Sequence, residues 1–265
     1  MLGDAPASRY FCGMKYLISL AAAFAMLAAT PACAIVGGGA GSSDGVARAI
    51  VTVVGSRGNF CSGSVIAPKL VLTAAHCIHP GTEYRVVDHS SGSPALQKVK
   101  TIAIHPAYKV EAMLAHRATA DVALLQLEQP LNGRVPAVVG IPNIPIAVGS
   151  RFTIAGTGLA ARGDGKSGGT VRTAGLVVSG KPGTLQMRLV DPVGQGTRDG
   201  LGACIGDSGG PVFEDKPSGP AIVGVISWST GPNATDGCGG MTGVTPLTLY
   251  RDWVLQTARQ WGSAL

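Results

Sequence analysis

Three short segments carry residue types that together could hydrolyse an acyl bond. His76 follows an apolar run, Asp121 opens another apolar run, and Ser208 lies in a glycine-rich turn. A serine hydroxyl is a weak nucleophile at neutral pH and needs a base within hydrogen-bond reach. A neutral imidazole can take its proton and return it to the leaving group. Taken singly, each residue fits an ordinary structural role, but the ordered set indicates nucleophilic catalysis by Ser208, with His76 as base and Asp121 as the acid that orients it.

These residues need a rigid framework, and the composition predicts one made of strands. The chain has 39 glycines among 265 residues, and Val-, Ile- and Thr-rich runs lie between glycine turns. We predict strands at 49–54, 64–66, 70–73, 84–87, 99–104 and 122–127, and after a Pro/Gly-rich stretch at 151–155, 175–178, 185–189, 211–213, 222–228 and 243–246. Six runs on each side indicate two similar antiparallel units, followed by a helix over 247–261. This pattern argues against a coiled coil or a helical bundle.

The first 34 residues have the features of a secretory signal sequence. Lys15 gives a positive start, 17–29 is an uncharged apolar run, and Ala32-Cys33-Ala34 forms an A-x-A cleavage site. The run is shorter than the ~20 residues that a membrane-spanning helix needs. A retained membrane anchor, or a lipid anchor on Cys33, is the alternative. We expect cleavage after Ala34 and an exported protein, periplasmic or secreted, with no membrane attachment afterwards.

Charge and cysteine content narrow the class further. The chain has 21 Lys+Arg against 15 Asp+Glu with no basic cluster, which argues against nucleic-acid binding. Four cysteines follow the leader, an even number that predicts two disulfides in an exported chain: Cys61, Cys77, Cys204 and Cys238. Four metal-binding thiolates are the alternative, but no C-x-x-C spacing occurs. We expect neither a metal nor a cofactor.

From 35 to about 261 the sequence resembles the chymotrypsin/trypsin-like serine proteases. The matching blocks are Ile35-Val36-Gly37-Gly38, Thr73-Ala74-Ala75-His76-Cys77, Asp121-Val122-Ala123-Leu124-Leu125, Gly206-Asp207-Ser208-Gly209-Gly210-Pro211 and Ser227-Trp228. The resemblance implies an all-β fold of two six-stranded antiparallel Greek-key β-barrels packed together, with a C-terminal α-helix. It implies one peptidase domain at 35–265. An N-terminal barrel at 35–140 would carry His76 and Asp121, and a C-terminal barrel at 141–265 would carry Ser208 and the substrate pocket.

The same resemblance implies roles for residues around the triad. Backbone N–H groups of Gly206 and Ser208 would form an oxyanion hole, and Ser227 would hydrogen-bond Asp121. The disulfides would pair Cys61 with Cys77 and Cys204 with Cys238. A freed amino group on Ile35 would form an activation ion pair with Asp207. Because the A-x-A site falls directly before Ile35, we expect signal cleavage itself to create the active terminus.

The resemblance also identifies a substrate pocket. Its residues would be Gly202, Ala203, Ser227, Trp228, Ser229 and Gly240. Gly202 stands where trypsins carry an acid, and an uncharged floor does not offset the desolvation of a Lys or Arg side chain. We therefore expect cleavage after uncharged, apolar or aromatic residues, with Asp199 or Asp236 entering the pocket as the alternative.

Two departures from the family pattern stand near this pocket. Ser229 replaces the usual glycine after Ser227-Trp228, and we expect its side chain to narrow the groove for extended substrates. The segment Gly156-Thr157-Gly158 lacks the family's central tryptophan, and we expect that change to affect packing only.

The expected partners are polypeptide substrates and protein protease inhibitors, and we expect a monomer. The runner-up is a catalytically inactive homologue acting as a binding or adhesion protein, which the presence of all three triad residues disfavours. An α/β-hydrolase is excluded because its order is Ser, acid, His, whereas His76 and Asp121 precede Ser208.

Overall fold

The structure is a computed structural model that describes residues 35–40, 45–88, 93–115, 117–263 and 265. All of these belong to one unit of the chain, 32–265. The predicted signal sequence, with Cys12 and Cys33, lies outside the described residues.

The first barrel closes six antiparallel strands between 50 and 127. They are β2 Ile50–Gly55, β3 Phe60–Ala67, β4 Leu70–Thr73, β5 Tyr84–Asp88, β6 Ala95–Ile104 and β7 Ala123–Leu127, in the spatial order β2-β3-β4-β7-β6-β5. All four residues of β4 are buried, whereas β5 alternates buried and half-buried residues with the period of two that a strand imposes. A short strand, β1 Gly39–Ala40, precedes the barrel but pairs with the second sheet.

The second barrel repeats this topology. Its strands are β9 Arg151–Gly156, β10 Arg172–Val178, β11 Met187–Val190, β12 Pro211–Lys216, β13 Gly219–Ser229 and β14 Met241–Pro246. Their antiparallel order is β9-β10-β11-β14-β13-β12, and pairing of β12 with β9 closes the ring. A two-residue strand, β8 Val138–Val139, pairs in parallel with β13. Both rings therefore have the same Greek-key order, and the prediction of two similar six-stranded units is confirmed.

The core of the first barrel extends onto the outside of the second barrel. The first barrel interior packs against Ala155, Phe213, Ile222 and Val225 of the second, and a separate apolar cluster fills the second barrel. This contact brings the segments of His76 and Asp121, from the first barrel, next to the segment of Ser208, from the second.

Two helices and four 3-10 turns complete the described elements. The helices are α1 Val110–Leu114 and α2 Arg251–Gln260, and the turns are Val46–Ala49, Ala75–Cys77, Pro232–Ala234 and Leu247–Leu249. The expected helix over 247–261 is thus a 3-10 turn followed by α2, which buries Val254 and Ala258. His105 anchors this end, since its ring lies 5.0 Å from both Tyr250 and Trp253. Within the described ranges, no helix has the length and apolar character to span a bilayer.

All twelve predicted runs overlap observed strands; 70–73 has the bounds of β4, and the other eleven have shifted boundaries. The run 64–66 is the middle of the longer β3, and 211–213 is the first half of β12. The prediction missed β1, β8 and α1, which have two, two and five residues.

Candidate active site

His76 is held on a short 3-10 turn that leaves the buried strand β4. The turn Ala75–Cys77 is tied to β3 by the disulfide between Cys61 and Cys77. The His76 side chain remains 21% exposed, so its ring is accessible to a substrate.

Asp121 lies just before β7 and is completely buried. Its Oδ1 accepts the backbone N–H of His76 at 2.8 Å, and its Oδ2 lies 2.8 Å from His76 Nδ1. The Ser227 hydroxyl donates to the same Oδ2, as the resemblance implied. An ionised carboxylate only accepts, so Nδ1 carries the proton and Nε2 is left as an acceptor.

The surroundings of Asp121 keep it ionised. Burial alone raises the pKa of a carboxyl group, but the facing His76 and the hydrogen bonds from His76 and Ser227 more than offset it. The net pKa of Asp121 therefore lies below its usual value. A group with this pKa can balance an imidazolium at neutral pH.

Two residues near this pair escaped the sequence prediction. Tyr108 has a pKa raised to about 12, by burial and by the charges of Asp121 and Glu111. The thioether of Met113, on α1, lies 3.6 Å from the Ser227 hydroxyl. Both belong to the segment between β6 and β7, and the contact between Met113 and Ser227 brings this segment next to Asp121.

Ser208 lies on a tight turn whose backbone conformation requires glycine at two positions. Gly206 and Gly209 have φ of 92° and 81°, a left-handed backbone that side chains rarely adopt. A Cβ on Gly206 would overlap the Phe60 ring, and one on Gly209 would overlap Thr73 and the Ser62 carbonyl. The turn is held from both barrels, since Ser208 O accepts the N–H of Ser62 at 2.8 Å.

The turn of Ser208 and the ring of His76 are neighbours. The Sγ of Cys77 lies 3.9 Å from His76 Nε2 and 3.8 Å from Ser208 O. Among the described residues, however, no hydrogen bond joins Ser208 Oγ to His76 Nε2. Catalytic hydrogen bonds are often long before substrate binds.

Asp207, next to Ser208, is a fully buried carboxyl group. Its Oδ1 accepts the N–H of Gly158 at 2.9 Å, and its Oδ2 accepts the N–H of Cys204 at 2.8 Å. Burial nevertheless raises the pKa of Asp207 to about 7. The Ile35 side chain is also buried, in the core of the second barrel, and the next residue donates its N–H to Gly202 O at 3.0 Å.

The expected pocket residues lie on two adjoining segments. Gly202 is buried, and a Cβ built there would come within 3.0 Å of Gly239 Cα. The N–H of Ala203 donates to the Thr242 hydroxyl at 2.9 Å. The second Cys pair, Cys204–Cys238, joins the two segments, as expected.

Of the two expected pocket residues Ser229 and Gly240, the strand register leaves Gly240 away from Ser229. Ser229 and Trp228 on β13 lie opposite Thr242 and Gly243 on β14. Gly240 lies outside this strand pair, where its N–H donates to Thr230 O and its Cα packs against Gly231. Thr242, which the sequence prediction missed, is therefore the residue across from Ser229.

Asp199 and Asp236 are the two acids that the sequence analysis allowed to enter the pocket. Both line a cavity of about 360 Å³, together with Val36, Cys238 and Arg162. Asp236 is 97% exposed and lies 3.6 Å from the Arg162 guanidinium. Gly202 contacts Val36 and Gly239, which carry no charge.

The side chains Cys61, His76 and Cys77 are the described His, Cys and carboxylate groups close enough together to hold a metal ion. Both thiols are consumed in one disulfide, so neither can supply the thiolate that zinc requires.

Two closed Greek-key barrels, with Ser, His and Asp side chains at their junction, define the class of trypsin-like proteins. Residues 35–254 match the sequence profile of the Trypsin family, and the chain belongs to that family. It is 29% identical over 219 residues to transmembrane protease serine 9 of Rattus norvegicus, covering 76% of this chain and 20% of that protein. It is 29% identical over 232 residues to kallikrein-15 of Homo sapiens, covering 77% and 84%. The chain thus spans about a fifth of the first relative.

Solved structures share the fold. The human heparin binding protein matches with a TM-score of 0.66 at 23% identity, over 87% of this chain and 100% of that one. The atomic-resolution structure of HBP matches with a TM-score of 0.65 at 22% identity, over 85% and 97%. The expected fold is confirmed.

Proposed function

We propose that the chain is an exported serine endopeptidase that hydrolyses peptide bonds through Ser208, His76 and Asp121. The observation that carries the proposal is the buried, ionised Asp121 bonded to the His76 ring beside the glycine turn of Ser208. Membership of the Trypsin family supports polypeptides as the substrate class.

The reaction would proceed in two acyl transfers. Ser208 Oγ attacks the carbonyl carbon while His76 Nε2 takes the hydroxyl proton, and Asp121 balances the imidazolium. The N–H groups of Gly206 and Ser208 stabilise the oxyanion. The C–N bond then breaks as His76 returns the proton to the leaving amine. Water attacks the resulting ester through the same base and releases the new carboxyl group.

We propose cleavage after uncharged, apolar or aromatic residues. The groups next to Gly202 are Gly239 and Val36, which carry no charge. Asp199 and Asp236, the two acids that could enter the pocket, are both exposed. A Lys or Arg side chain would lose its hydration there without a compensating charge.

We propose that removal of the leader after Ala34 activates the protein. The fully buried Asp207 has a raised pKa, so a cation beside it would be favoured. An ammonium group on Ile35, whose side chain is buried in the same barrel, would supply that charge.

The test is cleavage of a diverse peptide library by protein beginning at Ile35, with Ser208→Ala as the control. We expect cuts after uncharged residues that the variant does not make. Cuts after Lys or Arg would leave the catalytic proposal standing but overturn the specificity.

No cleavage, together with no labelling of Ser208 by a fluorophosphonate, would overturn the catalytic proposal. It would favour the second candidate, an inactive binding protein. The observation that favours testing an inactive binding protein is the fold similarity to a protein named for heparin binding.

A further inference from the structure

A hydrogen-bonded series of buried hydroxyl groups ends at the turn that carries Ser208. Thr52 on β2 and Ser62 on β3 come from the first barrel, and Thr157 follows β9 of the second. Each of the three is at most 2% exposed. Buried hydroxyl groups need hydrogen-bond partners, so their bonds can be followed one by one.

The hydrogen bonds of this series are all donated in the same direction, toward Gly206. Ser62 Oγ donates its proton to Gly206 O at 2.8 Å and accepts the backbone N–H of Thr157 at 2.8 Å. Because that proton is committed, the 3.2 Å contact between the Thr157 and Ser62 hydroxyls must be donated by Thr157. Thr52 in turn donates to Thr157 Oγ1 at 2.9 Å. The last acceptor of this hydroxyl series is therefore the carbonyl oxygen of Gly206.

Ser62 holds the nucleophile turn at two points. Its side chain bonds Gly206 O, and its backbone N–H bonds Ser208 O at 2.8 Å. The Gly206 carbonyl belongs to the Gly206–Asp207 peptide, which lies between the two peptides that carry the N–H groups of the proposed oxyanion hole. Rotating this middle peptide would leave the Ser62 hydroxyl buried without an acceptor and would turn the N–H groups on either side of it.

We propose that Ser62, supported by Thr157, is a positioning residue that sets the oxyanion hole through the Gly206 carbonyl. This rests on the proposed function of Ser208. It also corrects the expectation that Thr157, standing in place of the family's tryptophan, affects packing only. Thr157 joins the two barrels by hydrogen bonds to Ser62 and Thr52.

The test compares Ser62→Ala with Ser64→Ala in protein beginning at Ile35. Ser64 lies on the same strand, is 1% exposed, and its hydroxyl has no hydrogen-bond partner among the described residues. We expect Ser62→Ala to lower kcat at least tenfold with little change in KM, short of the roughly 10²–10³-fold loss that removal of an oxyanion donor causes. Ser64→Ala should match the unmodified protein.

Two further readouts separate positioning from a structural role. Affinity for a peptidyl boronic acid, which occupies the oxyanion hole, should fall in parallel with kcat in Ser62→Ala. A merely structural role would lower the melting temperature without changing kcat per titrated active site. Thr157→Val should reproduce part of the kcat loss and Thr157→Ser should restore it, so the test survives if Ser62→Ala does not fold.

Equal kcat in Ser62→Ala and Ser64→Ala, with the unmodified protein active, would overturn this inference alone. An inactive unmodified protein that binds the boronic acid with no dependence on Ser62 would overturn it together with the proposed function.

Discussion

At the scale of single residues, the site depends on keeping one buried carboxylate ionised. Asp121 accepts bonds from the His76 backbone, the His76 ring and the Ser227 hydroxyl. A buried charge is costly unless it is paired and hydrogen-bonded in this way. The same bonds fix the His76 tautomer, so charge and orientation have a common cause.

We predict that Asp121→Asn lowers kcat by about 10⁴-fold, the size of the effect in the Ser-His-Asp template. An amide nitrogen in place of Oδ2 would face His76 Nδ1 as a donor and force the proton onto Nε2. Ser227→Ala removes only one bond to Asp121 and should cost no more than about tenfold. Steady-state kinetics on a peptide substrate measure both, and an Asp121→Asn variant within tenfold of the unmodified protein would contradict the assignment.

The glycine turn that carries Ser208 allows a second prediction at this scale. Gly206 and Gly219 both have positive φ, 92° and 105°, but a Cβ at Gly206 overlaps Phe60, whereas the space at Gly219 is open. Gly219→Ala should cost about 1–2 kcal/mol from backbone strain alone. Gly206→Ala should cost about 1–3 kcal/mol more, from overpacking.

Urea unfolding of the two variants gives this difference directly. Gly219→Ala should also keep full activity, since it lies in the β12–β13 hairpin. Equal stability losses would mean that Phe60 moves aside at no cost.

At the scale of elements, strands could be predicted where several β-branched residues occur together between glycines. The wholly buried β4 has the bounds expected for it. Two-residue strands such as β1 and β8 carry no periodicity, and α1 has no buried residue and no side-chain cap. Their positions depend on contacts with distant strands, which a local pattern does not contain.

The candidate site divides in the same way. His76 and Ser208 stand in local sequence blocks and could be recognised. Ser62 and Thr157 could not, because a single hydroxyl residue in a strand or just after one carries no local pattern that identifies its hydrogen-bond partners. Their partners lie 95 and 144 positions apart in the sequence, so only the folded chain brings these hydroxyls to Gly206.

The two disulfides fix different elements, and their removal should have different effects. Cys61–Cys77 closes 16 residues and holds the His76 turn, whereas Cys204–Cys238 closes 34 and joins the pocket segments. On the chain-entropy account, replacing each pair by alanine costs about 3 and about 4 kcal/mol. We expect the first pair to affect kcat more strongly and the second to affect KM.

Chemical denaturation and kinetics of the two double variants check this prediction. The Ser64→Ala variant serves as a control for a buried change on β3 that leaves both bridges intact. If both double variants changed kcat and KM alike, the disulfides would act only on global stability.

At the scale of the whole molecule, the site exists only where the barrels meet. The first barrel supplies His76 and Asp121, and the second supplies Ser208 and Ser227. The bond from Ser227 to Asp121 joins positions 106 apart, and the hydroxyl series crosses the same junction. The site is therefore complete only when the two barrels are docked.

The buried carboxyl group of Asp207 makes the free energy of unfolding depend on pH. Its pKa rises from 3.8 to about 7 on folding in the chain described here, in which Ile35 has no free amino group. The folded state thus binds this proton more tightly than the unfolded state. The stability that the neutral carboxyl contributes is fully present below pH ~3.8 and is lost as the pH rises through about 7.

We predict that a form beginning at Ala34 loses thermal stability between pH 5 and pH 8 relative to one beginning at Ile35. In the shorter form, the ammonium group of Ile35 would pair with Asp207, lower its pKa and remove the penalty of ionisation. Melting temperatures of both forms at the two pH values measure the difference. Asp207→Asn should abolish the difference in pH dependence, because an amide does not titrate. Parallel curves for the two forms, with Asp207 intact, would show that Ile35 does not pair with this carboxylate.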